Sequence, residues 1–483
     1  MASFGAVPDD GVDDTAAIQR ALVAVSAAGG GTLLFSQGRY DISINPALRR
    51  ALTIYPRIRM LAREGAPATL RLADGQIVYE SVMAPATYPT RLDDVEFIGL
   101  TFDANGLNNP VRNKEETNGD APGQTANPSL RYFIRSFAGS RARIANAIFT
   151  NADVGNSVSF NGTAITDVVI ENSKFLNVGG ALIDHDHSSI YFDGKRLRIS
   201  GNEFRGRNGA GTLGARTAIE THGDDIEVRG NVVDGFLQGA NIVGRQSDPS
   251  RQVFSGNTFT NVAAGLNLWP LADGPSGAAF VALTLRDNDI RINADVWWRS
   301  PAMVVNQVAG ILFEADVAKA RLDRLDILDN RIVFDTFSGE RSDADRTSVG
   351  IGIRGVEGQL AVSNLYILRN SVRNAIGPCI LNSAIVGPLP SSQIVDNILT
   401  DCARSPNLVG AGDLLRTGIV TGGVTSQIVI ARNTVRSTGV VPVMLTGILV
   451  GSNCLTNCVV SANAVSGVAL AVQNIGSGWA VNP

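Results

Sequence analysis

Residues Ile199–Phe204 read ISGNEF. The same pattern returns as VRGNVV at 228–233, FSGNTF at 254–259, LRDNDI at 285–290, ILDNRI at 327–332, ILRNSV at 367–372, IVDNIL at 394–399, IARNTV at 430–435 and VSANAV at 460–465. An apolar residue, two spacers, Asn, one spacer and a second apolar residue thus recur at intervals of 26 to 42 residues. A fixed internal motif at variable spacing predicts coils of constant cross-section that carry loops of different length. In such a solenoid each coil hydrogen-bonds to the coils above and below, and the inward residues stack into one continuous core. Asn202, Asn231, Asn257, Asn288, Asn330, Asn370, Asn397, Asn433 and Asn463 then mark successive corners. An Asn there can bond to its neighbours and to turn backbone, and it tolerates the left-handed angles a corner demands, so these asparagines read as structural.

Upstream of the repeat, Phe4–Ser43 reads FGAVPDDGVDDTAAIQRALVAVSAAGGGTLLFSQGRYDIS. Asp13, Asp14 or Thr15 can cap a helix whose apolar residues Ala17, Ile18, Ala21, Leu22 and Val25 recur at helical spacing, and Gly29 to Gly31 end it. Strands are expected at Thr32 to Phe35 and Tyr40 to Ile42, with a turn at Gly38. A helix laid across the first strands would cover an otherwise open apolar end. By contrast, Gln76 to Leu130 fits the repeat poorly, and its stretch from about 104 to 130 is rich in Asn, Gly and Pro. It reads as a long loop projecting from the stack. Trp297 and Trp298 mark a second insertion.

The opening segment closely resembles the start of the pectate-lyase-like superfamily, through Phe4-Gly5-Ala6, Asp9 to Gly11, Asp13-Asp14-Thr15, Ala17-Ile18-Gln19, Gly29 to Thr32 and Gly38-Arg39-Tyr40. The resemblance implies an all-β fold, a right-handed parallel β-helix with a short N-terminal capping α-helix. The whole chain is accordingly expected to form one β-helix domain, residues 1–45 providing the cap helix and first strands. For activity the resemblance is broad, because the superfamily holds polysaccharide lyases, polygalacturonases, alginate epimerases and phage tailspikes.

The strand after each corner can be placed in register. Aligned on a terminal Gly or Pro, SVSFNG, SIYFDG, AIETHG, ANIVG and LNLWP put Val158, Ile190, Ile219, Ala240 and Leu266 in one inward column and Phe160, Phe192, Thr221, Ile242 and Leu268 in the next. Alternation then sends two columns outward. One holds Ser159, Tyr191, Glu220, Asn241 and Asn267; the other holds Asn161, Asp193, His222, Val243 and Trp269. With coils about 4.8 Å apart, Tyr191, Asp193, Glu220 and His222 form a quartet on one face.

That quartet lies in the chain's densest run of proton-carrying groups. All three histidines, His185, His187 and His222, fall there, with Asp184, Asp186, Lys195 and Arg216. An outward Glu-x-His alone would read as a solvated face; this company makes it a candidate site. Glu220 can polarise the His222 imidazole, Tyr191 brings a phenol, and Arg216, Lys195 and Arg245 bring charge to neutralise a uronic acid carboxylate. Trp269 is placed to stack on a sugar. The expected catalytic set is Tyr191, Glu220, His222, Arg216 and Asp193; the expected substrate-binding set is Asp184, His185, Asp186, His187, Lys195, Asn241, Arg245, Asn267 and Trp269. Glu220-Thr221-His222 also resembles the acid-x-His element of alginate epimerases. There the element is Asp-Pro-His with a Tyr three residues before the Asp; Thr217 holds that place here, and the nearest Tyr is Tyr191, a coil away.

The chemistry this set suits is β-elimination on an acidic polysaccharide, making the chain a polysaccharide lyase with an epimerase-like site. One alternative is a glycoside hydrolase using two carboxylates from Asp184, Asp186, Asp193, Glu220, Asp224 and Asp225. Another is a glycan-binding tailspike or adhesin, so a monomer or homotrimer is expected. The net charge of -4 argues against a nucleic-acid partner, and no apolar run approaches the ~20 residues of a membrane span. The N-terminus shows no signal-peptide pattern, and the expected location is extracellular or a phage particle. No aspartate cluster stands out as a calcium cage; no required metal or cofactor is expected, with Ca²⁺ the one cation in view. Metal binding by His185, His187 and an Asp ranks below proton transfer, since nothing fixes a third ligand. Cys379, Cys402, Cys454 and Cys458 lie in the last quarter without a nearby His and read as buried free thiols ahead of disulfides.

Overall fold

A computed structural model of the chain describes residues 1–76, 81–87, 90–109, 132–152, 156–179, 188–206, 215–245, 247–271, 278–293, 308–315, 320–335, 348–355, 360–383, 385–386, 392–404, 415–422, 425–439, 444–451 and 453–482. The chain divides into two compact units, Met1–Phe236 and Leu237–Pro483. Each is a stack of parallel β-coils. Most of the expected long loop and the Trp297-Trp298 insertion lie outside the described residues.

In the first unit one helix, Thr15–Ala27, buries Ala17, Ile18, Ala21 and Leu22. Gln19 pins it to the first coils by accepting the Thr53 amide at 2.8 Å. Asp14 occupies the N-cap position, but its carboxylate turns away to accept the Val7 amide at 2.9 Å, and Asp13 takes the Thr15 amide instead. Burial, helped by Asp10, Asp13 and Asp41 and opposed by the Val7 bond, pushes the Asp14 carboxyl up to about 6. The folded state therefore holds this proton more tightly than the unfolded chain, and stability falls as pH rises from about 4 to 6. Asp14→Asn keeps the acceptor and removes the charge. We predict stronger hydrogen-exchange protection of the helix amides above pH 6 and no gain at pH 4. A gain independent of pH would contradict this.

One face of the unit is a run of short strands, Gly38–Ile42, Ala68–Leu72, Leu100–Asp103, Ile148–Thr150, Lys174–Val178, Glu203–Gly206 and Val232–Asp234, each parallel to the next. Its inward column carries Phe102, Phe149, Phe175 and Phe204, whose rings stack at centroid distances of 4.8, 5.0 and 4.6 Å. Facing it, Tyr132–Ala145, Asn156–Glu171 and Ser188–Ser200 are long strands, and Ser188–Ser200 continues in parallel onto Ala215–Thr221 and Asp224–Arg229. These strands bend where Gly162, Gly194 and Gly223 follow one another. A Cβ at these positions would sit 2.3 Å from Phe137 O, 2.6 Å from Ile165 O and 1.7 Å from Gly194 O. Coil-to-coil contact, rather than backbone conformation, thus demands glycine at these three positions.

The asparagine ladder forms as expected. In the first unit the Asn202 amide and side chain both donate to Asn231 Oδ1 at 3.0 Å, and Asn202 Nδ2 also reaches Ile170 O. Ser173 takes the corner one coil earlier, its amide donating to Asn202 Oδ1 at 2.8 Å. In the second unit Asn257, Asn288, Asn330, Asn370, Asn397, Asn433 and Asn463 continue pairwise, each accepting from the one before. The left-handed residue, however, is the one before each Asn: Gly201 and Gly230 in the first unit, Gly256, Asp287, Asp329, Arg369, Asp396, Arg432 and Ala462 in the second. Turning that residue lets the Asn keep an ordinary backbone and aim its amide into the stack.

The cysteines correct the sequence expectation. They pair as Cys379–Cys402 and Cys454–Cys458, with Cα separations of 5.4 and 5.9 Å. Stacking brings residues 23 apart in sequence to bridging distance, a juxtaposition that spacing alone does not reveal.

Candidate active site

The site residues of the first unit sit on Ser188–Ser200 and Ala215–Thr221, with His222 just beyond. The register is the one read from the sequence: Val158 opposes Ile190, Ser159 Tyr191, Phe160 Phe192 and Asn161 Asp193, and then Ile190 opposes Ile219, Tyr191 Glu220 and Phe192 Thr221. Ile190, Phe192, Ile219 and Thr221 are fully buried, which forces the residues between them to the other side. The His222 amide extends the pairing by donating to Phe192 O at 2.8 Å.

Glu220, His222 and Tyr191 come together. Glu220 Oε1 lies 2.8 Å from His222 Nε2, and the His222 ring lies against the Tyr191 ring with centroids 4.9 Å apart and planes 33° from parallel. The second Glu220 oxygen accepts the Ser188 hydroxyl. The Glu220 and His222 side chains are each only 10% exposed, so the pair is recessed, where the sequence reading had both facing freely outward. Burial works against ionisation of Glu220, but the His222 hydrogen bond and charge, the Ser188 hydroxyl and the charge of Arg216 outweigh it, holding the carboxyl below its usual range. A carboxylate kept ionised beside an imidazole orients the ring. The three side chains can therefore take a proton and pass it on.

Asp193 and Arg216 are half-buried members of the same strands. Lys195 lies past the Gly194 bend, in register with Asp224 rather than with Glu220. Asp184, His185, Asp186 and His187 lie outside the described residues. Asn241, Arg245, Asn267 and Trp269 belong to the second unit, where Asn241 opposes Asn267, Val243 opposes Trp269 and Arg245 opposes Leu271. Asn267 donates to Asn241 there at 3.1 Å. Among the described residues no group of three or more His, Cys, Asp or Glu is placed to hold a metal ion, and no helix is long and apolar enough to cross a membrane.

Two residues escaped the sequence reading. Ser188 has the inward parity of Ile190 and Phe192, so alternation hides its bond to Glu220. Arg135 opposes Ser159 and so heads the outward column that continues through Tyr191 to Glu220. Extending the alignment one coil upstream, to the FIRSFAG of residues 133–139, would have found it.

The Gly223 contact gives a test of how rigidly this site is held. A Cβ there meets backbone of the preceding coil, which has no room to yield. We expect Gly223→Ala to displace His222 from Glu220 and Tyr191 and to lower turnover about 10²-fold, the scale of an ångström-sized misplacement. Circular dichroism should remain that of a β-protein. An unchanged rate would mean that this spacing does not matter.

No family model matches the chain. Over 122 residues, 25% of the chain, it is 33% identical to mannuronan C5-epimerase AlgE3 and 32% identical to mannuronan C5-epimerase AlgE1, both from Azotobacter vinelandii. Those stretches are 7% and 9% of the relatives' lengths, so the chain spans a small part of each. Among solved structures, a variant of the tailspike protein of E. coli bacteriophage HK620 matches with a TM-score of 0.63 at 13% identity, over 97% of this chain and 77% of that one. The same tailspike in complex with a pentasaccharide matches with a TM-score of 0.56 at 12% identity, over 98% and 77% of the two chains. The fold shared is the parallel β-helix expected from the opening forty residues and the asparagine repeat.

Proposed function

We propose that the chain acts on an acidic polysaccharide by removing the proton at C5 of a uronate residue, with β-elimination as the outcome. The observation that carries this reading is the recessed Glu220 carboxylate, held ionised and hydrogen-bonded to a His222 ring that lies against Tyr191. Arg216 supplies positive charge beside the set. Neutralising the uronate carboxylate acidifies C5–H. The C5–H bond breaks and its proton passes to the Tyr191–His222 pair. The electron pair left behind forms the C4–C5 double bond as the C4–O bond breaks, and the departing oxygen takes up a proton. Nε2 is engaged by Glu220, so His222 exchanges its proton through Nδ1.

A second outcome shares the first step. If C5 is reprotonated from the opposite face before C4–O breaks, the product is the epimer, and the name shared by the curated relatives favours keeping this reading. Hydrolysis through Glu220 as general acid is disfavoured, because that role needs a carboxyl kept protonated and Glu220 is shifted the other way. Two disulfides fit an oxidising compartment, and with the tailspike-like fold they support a secreted or particle-borne protein whose partner is a glycan.

The test is a panel of acidic and neutral polysaccharides, followed by ultraviolet absorbance, reducing ends and proton magnetic resonance. New reducing ends with rising absorbance mean elimination; altered C5 configuration without new ends means epimerisation. Reducing ends with neither change would overturn the proposal in favour of hydrolysis, and glycan binding without reaction would favour a recognition module.

A further inference from the structure

A polar cleft of 420 Å³ in the second unit is lined by Arg373, Asn374, Asp401, Arg404, Ser437 and Thr438. It lies where three stacked strands end, Ser371–Arg373, Ile398–Thr400 and Thr434–Arg436, each parallel to the next. The backbone there is tiered. The Asn374 amide donates to Thr400 O at 3.0 Å, and the Asp401 amide to Arg436 O at 2.9 Å. Cys402 is buried in the lining, and its bridge to Cys379 ties the second tier to the first. Two guanidinium groups thus share a fixed frame with one carboxylate, yet they do not pair with it. Asp401 accepts the Thr438 amide at 2.6 Å and the Thr438 hydroxyl at 2.7 Å. The exposed side chains of Arg373 and Arg404 form no hydrogen bond or ion pair among the described residues. Elsewhere in the unit, Arg369 is bidentate to Asp329 and Arg432 to Asp396.

The volume falls in the range of small-molecule sites, ~300–1,000 Å³. Planar guanidinium forks suit a carboxylate or a sulfate ester. Amide, carboxylate and hydroxyl side chains match the hydroxyls of a sugar ring, each of which both donates and accepts. We propose that the cleft binds one acidic residue of a glycan, Arg373 and Arg404 holding its carboxylate or sulfate and Asn374, Asp401 and Ser437 its hydroxyls. A bare oxyanion would be repelled by Asp401. A sugar instead presents ring hydroxyls that this carboxylate accepts. Tyr191, Glu220 and His222 belong to the first unit, and the binding proposed for the second unit does not draw on the reaction proposed for them.

The test is calorimetry with the full chain, titrating mannuronate and galacturonate trisaccharides, their carboxyl-reduced counterparts, a sulfated dextran trisaccharide and inorganic sulfate. For the wild type we expect an acidic trisaccharide to bind, and the carboxyl-reduced forms and inorganic sulfate to bind at least about 10-fold more weakly. Arg373→Gln and Arg404→Gln should each weaken one binding event roughly 10- to 100-fold, the scale of a lost charge-assisted hydrogen bond, while Tyr191→Phe leaves that event unaltered. Arg404→Lys, which keeps the charge without the fork, should fall between. Arg369→Gln removes the same charge from a paired arginine of the same coil and should leave the affinity as it was. An unaltered thermal midpoint shows that each variant keeps its fold. Arg404-dependent binding of the sulfated probe alone would identify the acid group as a sulfate ester. Equal affinity in wild type and both glutamine variants, an equal loss in Arg369→Gln, inorganic sulfate binding as tightly as any trisaccharide, or no binding of any probe would overturn the proposal. Arg404-dependent binding of a uronate whose C5–H stays intact would refute the chemistry proposed for Tyr191 and His222 and leave the cleft standing.

Discussion

Under the proposed chemistry, replacing His222 by alanine should lower uronate turnover about 10²- to 10⁴-fold, the range expected when a positioned acid–base group is removed. Tyr191→Phe falls in the same range, because its ring remains against His222 while the phenol proton is lost. Glu220→Gln keeps the shape and one acceptor oxygen but removes the charge that orients the His222 ring. It should therefore depress the rate constant far more than the apparent substrate affinity. The three side chains form one contact network, so the effects should be strongly non-additive, the double variant His222→Ala/Glu220→Gln being little worse than His222→Ala. Purely additive losses would show that Glu220 acts elsewhere. The pH dependence follows from the depressed Glu220 carboxyl. Its contribution to stability is present above the ordinary value of 4.5 and is lost as pH falls below it. Wild type and Glu220→Gln should accordingly converge in stability under acid conditions and diverge at neutral pH.

The second large effect concerns the asparagine ladder. Asn370→Leu keeps the branched shape of the side chain, with some added bulk, but deletes an acceptor used by both the Asn330 amide and the Asn330 side chain, and a donor used by Ile327 O. The position is 1% exposed, so water does not replace these bonds. At about 1 to 3 kcal/mol for each buried group left unsatisfied, the expected loss is about 4 kcal/mol, read by urea unfolding. Coils contact only their neighbours, so hydrogen exchange should accelerate most at Arg331–Phe334 and Ile398–Thr400, on either side. Asn463, which is partly exposed, should tolerate the same change at much smaller cost. A loss below about 1 kcal/mol at Asn370 would mean that the ladder is decorative.

Much of this architecture is legible in the chain because a β-helix is nearly one-dimensional. Each coil repeats a short local pattern, so Asn202 and its successors announce the corners, and alternation between Ile190, Tyr191 and Phe192 announces the faces. In the first unit Gly162, Gly194 and Gly223 marked the register correctly, for a reason the alignment did not supply: each would otherwise drive a Cβ into the preceding coil. What escaped depends on contacts between coils in three dimensions. The Cys379–Cys402 bridge joins residues that only stacking brings together. Ser188 reaches Glu220 against its apparent parity, and the recess around Glu220 and His222 is a property of depth, which a period of two does not encode. Arg135 was obscured because its strand follows directly on the long polar segment that breaks the repeat.

The central claim is that this face removes the proton at C5 of a uronate. It is tested most directly by following a polyuronate in deuterium oxide by proton magnetic resonance, with wild type and His222→Ala side by side. The account predicts that wild type abolishes the C5–H signal, either as an unsaturated product or as a C5-deuterated epimer, and that His222→Ala does so at least about 10²-fold more slowly. New reducing ends on a chain whose C5–H signal is intact, or equal rates for the two proteins, would contradict it.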